Sequence, residues 1–388
     1  MTEVTARVNK LSEVKVREIS TKKDKLRFIE FINKLYKDNK YFCPTLTEDE
    51  LEEFDPAKNG AFVYAECRMF LAERDGKVVG RIAGVLNRKY NEKMNVKQMR
   101  FTRFDFIDDY AVSAALYDTV RKWALECGMT EMLGPIGFSD LDKQGLLYEG
   151  FDVIDMYVTP YNAPYYVNHY ERLGLVKKVD WVEYEIIIPD ELDPRVNAIA
   201  DRAREKYGYT TKHFKKINLI KPWIKPGLDI MNAAFAPLFG VVQLEDKQLE
   251  DYGKTLMMVG NPDFIQFVFN KENKPIGYGF MAPNLTRGMR ACHGHIFPWG
   301  VFTIPWDLRH SKILDMYSIA VLPEYQSLGV NAIIMQEGLK GAKKHGMKKC
   351  YTGPELEDNF KIQGQWKLLE RKIVRRRRCY IAPANLAE

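Results

Sequence analysis

The sequence has little that would tie it to a metal, a membrane or a disulfide framework. Six cysteines are scattered through 388 residues with no C-x-x-C pair and no zinc-ligand spacing. Neither a structural metal nor a stapled secreted fold is expected, and a reducing, cytoplasmic setting fits. No stretch reaches the roughly 18 consecutive apolar residues of a membrane-spanning helix. The N-terminal "MTEVTARVNKLSEVKVREIS" also lacks the apolar block of a signal peptide. Flexible Gly/Ser linkers are missing, so the parts of the chain are expected to pack together. One-sided charge is scarce too: 58 basic against 52 acidic residues give a formal +6, an excess that suits anionic small molecules as well as it suits nucleic acid.

What is present is ordinary globular composition, 46% hydrophobic and 28% charged, at a length that exceeds one usual core. Two domains are expected, 1–212 and 213–388, with the polar helix "DELDPRVNAIADRAREKYG" connecting them. The first half reads as a helix from Ser20, a loop with the acidic "TEDELEEFD", and a hairpin turning at Asp75-Gly76. A strand "MRFTRFDFI", a helix "AVSAALYDTVRKWALECG", a short strand, a helix ending at Gly174 and the strand "KVDWVEYEIII" follow. The second half repeats that order: helical material over 227–251, a hairpin "FIQFVFNKENKPIGYGFMA", the strand "KILDMYSIAV", a helix over 329–345 and the strand "KKCYTG". A short helical run and "IVRRRRCYIA" close the chain. Alternation of this kind implies crossover connections and mixed sheets, and the repeated order implies an internal duplication.

Along "ILDMYSIAV", strict alternation puts Ile313, Asp315, Tyr317, Ile319 and Val321 on one face. Pro323 ends the strand, and "EYQSLGVN" turns into a helix whose first amides have no intrahelical partner. Such amides, at the positive end of a helix dipole, suit phosphate oxygens. Gly329 lacks a Cβ and would let an anion approach the backbone, and Gln326 can donate without adding charge. On spacing alone, the loop serves equally well as a plain helix start.

The context of "AVLPEYQSLGVN" resembles the GCN5-related N-acetyltransferase superfamily, whose acyl-CoA loop is Gln or Arg, two residues, Gly, one residue, then Gly or Ala. Asn331 departs from that pattern at its last position. "KKCYTG" and "ELEDNFKIQGQWKLLERKIV" extend the resemblance over most of the second half. "GKVVGRIAGVLN", "GPIGFS", "YEGFD" and "YNAPYYVNHYERLGL" are similar to tandem members.

The resemblance implies two tandem α/β GNAT-like domains, each a mixed twisted sheet flanked by helices, the first degenerate. It also implies acyl transfer, acetyl being the first expectation, from acetyl-CoA or another acyl-CoA to a small-molecule or peptide amine. The rival is a non-catalytic acyl-CoA sensor or interaction protein of the same fold. Neither nucleic acid nor membrane is an expected partner.

The cofactor residues implied are Ile319 and Val321 for pantetheine, Gln326, Ser327, Leu328, Gly329, Val330 and Asn331 for the diphosphate, and Asn359. Asp315, eleven residues before Gln326, falls where some relatives place a general base; the plain alternative is an ion pair with Arg309 or Lys312. The tyrosine that commonly protonates the thiolate is matched by Trp366, which leaves Tyr317, Tyr351, water or no acid at all.

Sliding the halves together on "ECGM" and "KHGM" sets Asp108, Ala111 and Ser113 opposite Gln326, Gly329 and Asn331. Carboxylates there would repel a diphosphate. His293 and His295, with no third ligand at diagnostic spacing, read as loop residues. Arg375 to Arg378 alternate faces in a strand, give no phosphate-tracking stripe, and read as a solvated edge or cleft. The aromatic run "MYVTPYNAPYY" lines an acceptor pocket or packs on its own sheet.

Overall fold

The computed structural model describes residues 13–385; the first twelve residues of the N-terminal stretch read above lie outside them. The first half runs β1 (Lys15–Glu18), α1 (Lys22–Leu35), α2 (Thr47–Glu53), β2 (Ala65–Arg74), β3 (Lys77–Asn87), α3 (Arg88–Met94), β4 (Gln98–Phe106), α4 (Tyr110–Glu126) and β5 (Glu131–Gly134). It continues with β6 (Leu146–Glu149), α5 (Tyr165–Arg172), β7 (Val176–Ile187) and α6 (Pro194–Tyr207). The second half runs β8 (Thr210–Thr211), α7 (Lys221–Phe235), α8 (Asp246–Val259), β9 (Ile265–Phe269), β10 (Pro275–Pro283), α9 (Thr286–Ala291), α10 (Val301–His310) and β11 (Ile313–Val321). It ends with α11 (Val330–Lys344), β12 (Lys349–Thr352), β13 (Glu355–Leu356), α12 (Phe360–Gln365) and β14 (Arg371–Pro383).

Local chemistry explains most of these elements. Thr21 caps α1 by accepting the Asp24 amide, and Asp109 caps α4 by accepting the Ala111 amide, each satisfying an otherwise orphan donor. Asp75 (φ 50°) and Gly76 (φ 74°) form the left-handed pair that a tight hairpin needs between β2 and β3. Helix α2 forms where the acidic "TEDELEEFD" is expected to be loop. Its first turn carries Glu48, Asp49 and Glu50, which favour a helix N-terminus.

Both halves join in one continuous sheet, ordered β1-β2-β3-β4-β5-β14-β7-β12-β11-β10-β9-β8. The halves interlock: β14, from the end of the chain, lies between β5 and β7, antiparallel to both. In each half a parallel pair sits at the centre, β4 with β5 and β11 with β12. Each pair stays together for only a few residues, Gln98 to Arg100 and Ile313 to Met316, and then parts. The result is two V-shaped gaps. Helix α11 packs on one face of the second half against β9 and β10, with α6 beside it, while α7 covers the other face at β10 and β11.

Candidate functional site

The second gap is shaped by a bulge. Opposite Phe280 and Met281 of β10 stand Ser318 and Met316 of β11, so Tyr317 is the extra residue. A bulge adds one residue and reverses the alternation beyond it. Asp315 and Tyr317 therefore face the side where the halves meet, whereas Ile319 and Val321 pack with Val330 and Ile333 of α11. The expectation that Ile313, Asp315, Tyr317, Ile319 and Val321 all share one face is corrected by this extra residue.

Beyond Met316 the β12 side of β11 is open. Leu322 donates its amide to Ile276 O at 3.0 Å, and the two-residue alternation of an antiparallel ladder turns the backbone groups of Ile319 and Val321 toward that open side.

Residues 322–329 link β11 to α11. Gln326 and Ser327 are exposed, Gly329 and Asn331 half-buried. Ser327 (φ 64°) and Gly329 (φ 85°) are both left-handed, a conformation that gathers successive amides into an anion-binding concavity. The first bond of the helix runs from Ile333 N to Gly329 O, which leaves the amides of Val330, Asn331 and Ala332 without an intrahelical acceptor. Gln326 Nε2 donates to Val321 O at 3.2 Å and braces the loop.

Gly329 has a different neighbour from the one expected. A Cβ there would meet Ala203 Cβ at 2.6 Å and Ile199 O at 3.2 Å, so its bare side faces α6. The gapless matching of the halves also fails: residues 107–109 suffice to link β4 to α4, and Ala111 lies inside α4 while Gly329 caps α11.

Asp315 is wholly buried. Asn284 Nδ2 donates to both its carboxylate oxygens, at 3.0 and 2.9 Å. Neither Arg309 nor Lys312 is its partner. Burial raises its pKa to about 7, which the Asn284 bonds only partly offset. Tyr317, one residue past the last pairing with β12, has its phenol pushed well above the usual value by burial.

The tetra-arginine run is corrected as well. Alternation holds, but the odd-numbered pair is wholly buried. Glu183 receives Arg375 Nε and Arg377 Nε at 2.5 Å each, and Asp155 receives Arg377 at 3.0 Å. Burial alone would raise the pKa of Glu183; the two guanidiniums hold it below the usual carboxylate range. Arg376 and Arg378 pair with Glu149 and Asp180 on the other face. Arg375 Nη2 and Asp155 Oδ2 remain buried without a hydrogen-bond partner.

Trp366 is buried and donates its indole N–H to Glu355 Oε1 at 2.7 Å. Glu355 was missed by sequence reasoning. Burial raises its carboxyl to about 7, and its Oε2 has no partner. The only sequence signal was an acid eleven residues before Trp366 in "PELEDN". Asn359 caps α12 through its side-chain oxygen, at 3.4 Å from Ile362 N. Tyr351 is occupied, donating to Glu185 at 2.9 Å. His293 and His295 lie in the turn that follows α9, as expected of loop residues, and α9 and α10 form on either side of it.

The first gap is closed. The Phe106 amide donates to the Tyr166 hydroxyl at 3.2 Å, and the two rings stack with centroids 4.4 Å apart. The Tyr165 hydroxyl donates to Phe106 O. Within the run from Met156 to Tyr166, Tyr161, Tyr165 and Tyr166 thus pack in the first half, whereas Tyr157 packs with Leu285 and Met289 of the second. Beside this run lies a cavity of about 50 Å³ that includes Arg81, Arg103 and Lys143 among its walls.

Residues 229–364 match the family described as Acetyltransferase (GNAT) family. The chain is 25% identical over 322 residues to Protein YghO of Escherichia coli (strain K12), covering 82% of this chain and 81% of the relative. It is 23% identical over 302 residues, 77% of each, to the bacterial ceramide synthase of Caulobacter vibrioides (strain NA1000 / CB15N). Among solved structures, a tandem GNAT protein from the clavulanic acid biosynthesis pathway superposes with a TM-score of 0.56 at 11% identity, covering 97% of this chain and all of that one.

Proposed function

The chain is a member of the GCN5-related N-acetyltransferase superfamily with two tandem domains of that fold, and on that premise we propose that its second half transfers an acyl group from acyl-CoA to an amine. The observation that carries this reading is the left-handed, open loop from Gln326 to Asn331, whose free amides adjoin the splayed edge of β11. The diphosphate takes the amides of the loop and of the first turn of α11, and pantetheine takes the backbone of Ile319 and Val321. Asn359 contributes its free amide N–H₂. The ceramide synthase among the relatives is named for an amide-containing product, and that likeness favours an amine acceptor.

The acceptor amine arrives from the face where the halves meet. A carboxyl near neutrality is suited to general-base work, so Asp315 takes the proton of the ammonium, with Tyr317 on the same face between it and the gap. The nitrogen attacks the thioester carbonyl, its second proton passes to solvent as the C–S bond breaks, and the thiolate leaves. Trp366 cannot protonate it; Glu355, half-protonated at neutral pH and bonded to Trp366, supplies that proton. Arg375 Nη2 and Asp155 Oδ2 offer one donor and one acceptor to the polar part of the acceptor. Six unpaired cysteines support a reducing, cytoplasmic location.

Calorimetry with CoA, followed by thioester turnover over a panel of amines, tests the reading. Binding with turnover is expected. Binding without turnover on any amine would make the protein a sensor, and no heat with CoA would end the proposal.

A further inference from the structure

Pantetheine laid along β11 from the loop would run from Val321 toward Tyr317. A cavity continues that line. It lies under α11, with a volume of about 80 Å³. Ser318 and Ile319 line it where β11 has parted from β12, and Leu314 and Cys350 line it where the two strands are still paired.

Polar side chains in its walls are mostly bonded already. The Ser318 hydroxyl is bonded to Tyr278 at 2.6 Å, and the Trp366 indole is bonded to Glu355. Gln266 contributes an unpartnered oxygen. A polar occupant would lose its hydration without replacement bonds, whereas interiors rarely leave apolar space of this size unfilled. Two glycines, Gly279 of β10 and Gly338 of α11, line the cavity. Gly338 is a poor choice for the middle of a helix, and a Cβ there would meet Met281 Cε at 3.1 Å. Both positions keep the space narrow-walled and open.

We infer that this cavity holds the aliphatic chain of the donor, so that the substrate is a medium- to long-chain fatty acyl-CoA and not acetyl-CoA. From Ile334 to Ala342 is eight residues of helix, about 12 Å. An extended alkyl chain built from C–C bonds of about 1.5 Å advances roughly 1.3 Å per carbon. The cavity therefore measures a chain of about eight to ten carbons beyond the thioester, with anything longer folding back or leaving the cavity. The inference rests on the second gap being the acyl-CoA site.

The test is a calorimetric series on the full chain with CoA, acetyl-, hexanoyl-, decanoyl- and hexadecanoyl-CoA. Affinity is expected to rise about threefold to fourfold per methylene and to level off near ten carbons, leaving decanoyl-CoA at least a hundredfold tighter than acetyl-CoA. Leu in place of Gly338, or Phe in place of Ala342, is expected to move the plateau to shorter chains while CoA itself, which has no chain, binds as before. Thermal melting identifies a variant that fails to fold, in which case the other decides. Equal affinity for acetyl- and decanoyl-CoA, or a plateau that neither folded variant moves, overturns the inference and leaves the acyl-CoA site intact. If CoA does not bind at all, the site and the inference fall together.

Discussion

The two gaps of this molecule are built on the same frame and hold different things. In each half a parallel strand pair parts after a few residues beside a helix. In the first half a three-residue link brings β4 directly to α4, Asp109 both caps the helix and pairs with Arg74 at 2.7 Å, and Tyr165 and Tyr166 take the free edge of β4. In the second half a longer link leads into a helix whose first amides, of Val330, Asn331 and Ala332, have no intrahelical acceptor, and the edge of β11 meets an apolar hollow. The contrast teaches that the splayed pair alone does not make a binding site. What decides is whether protein side chains have already satisfied the backbone groups it exposes.

Substitutions that transfer a feature across this divide are the sharpest way to test it. The largest effect is expected at Asp315, which has no counterpart in the closed gap: Asp315→Asn should lower kcat/KM by about a hundredfold to ten-thousandfold, the usual span for a general base, measured with the best amine found. Its stability effect has the opposite sign. A carboxyl raised to about 7 in the folded state binds more protons folded than unfolded, so its stabilising contribution is full below about pH 4 and is lost as pH rises to 7. Urea unfolding should therefore show the Asn variant gaining on the parent by about 1 kcal/mol or more at pH 8 relative to pH 4.

Next comes Tyr166→Ala, which unplugs the first gap. Loss of about 3–5 kcal/mol of stability is expected from the emptied aromatic site, with no second molecule of CoA bound in titration, because Asp108 and Asp109 remain at the helix start. A stoichiometry of two would break the comparison. Glu355→Gln should lower kcat by roughly tenfold to a hundredfold and remove the limb of the pH–rate profile assigned to an acid near 7. The smallest effect is expected from Gln326→Glu, which lends the open loop the charge of the closed one. CoA affinity should fall by about tenfold, since one exposed carboxylate near a diphosphate costs on the order of 1 kcal/mol, with the melting temperature unchanged.

Much of this was legible from the residues. The Asp75-Gly76 turn, the capped starts of α1 and α4, the left-handed stop at Gly174 (φ 77°) and the loop after Pro323 all write their geometry locally. Four things were not. The bulge at Tyr317 is a property of how β11 meets β10, and no residue in "ILDMYSIAV" announces it. Burial of Arg375 and Arg377 depends on Glu183, nearly two hundred positions earlier in the chain, so a run of four arginines looks solvent-bound until the strand order is known. Helices α9 and α10 were hidden by Pro298 and Pro305, which suggest loop, although Pro305 is carried inside α10. Asn284 became visible as a partner of Asp315 only once β10 and β11 were side by side.

The position of β14 has a consequence for how the protein comes into being. A ribosome delivers the chain from its amino end, yet the slot between β5 and β7 is filled by β14, which is made after every other strand described above. Until residues 371–383 have been made, Glu183 stands in a nascent chain with neither of its arginines. The two halves therefore cannot mature one after the other as beads on a string, and a chain cut before Arg371 would spoil the first half as thoroughly as the second.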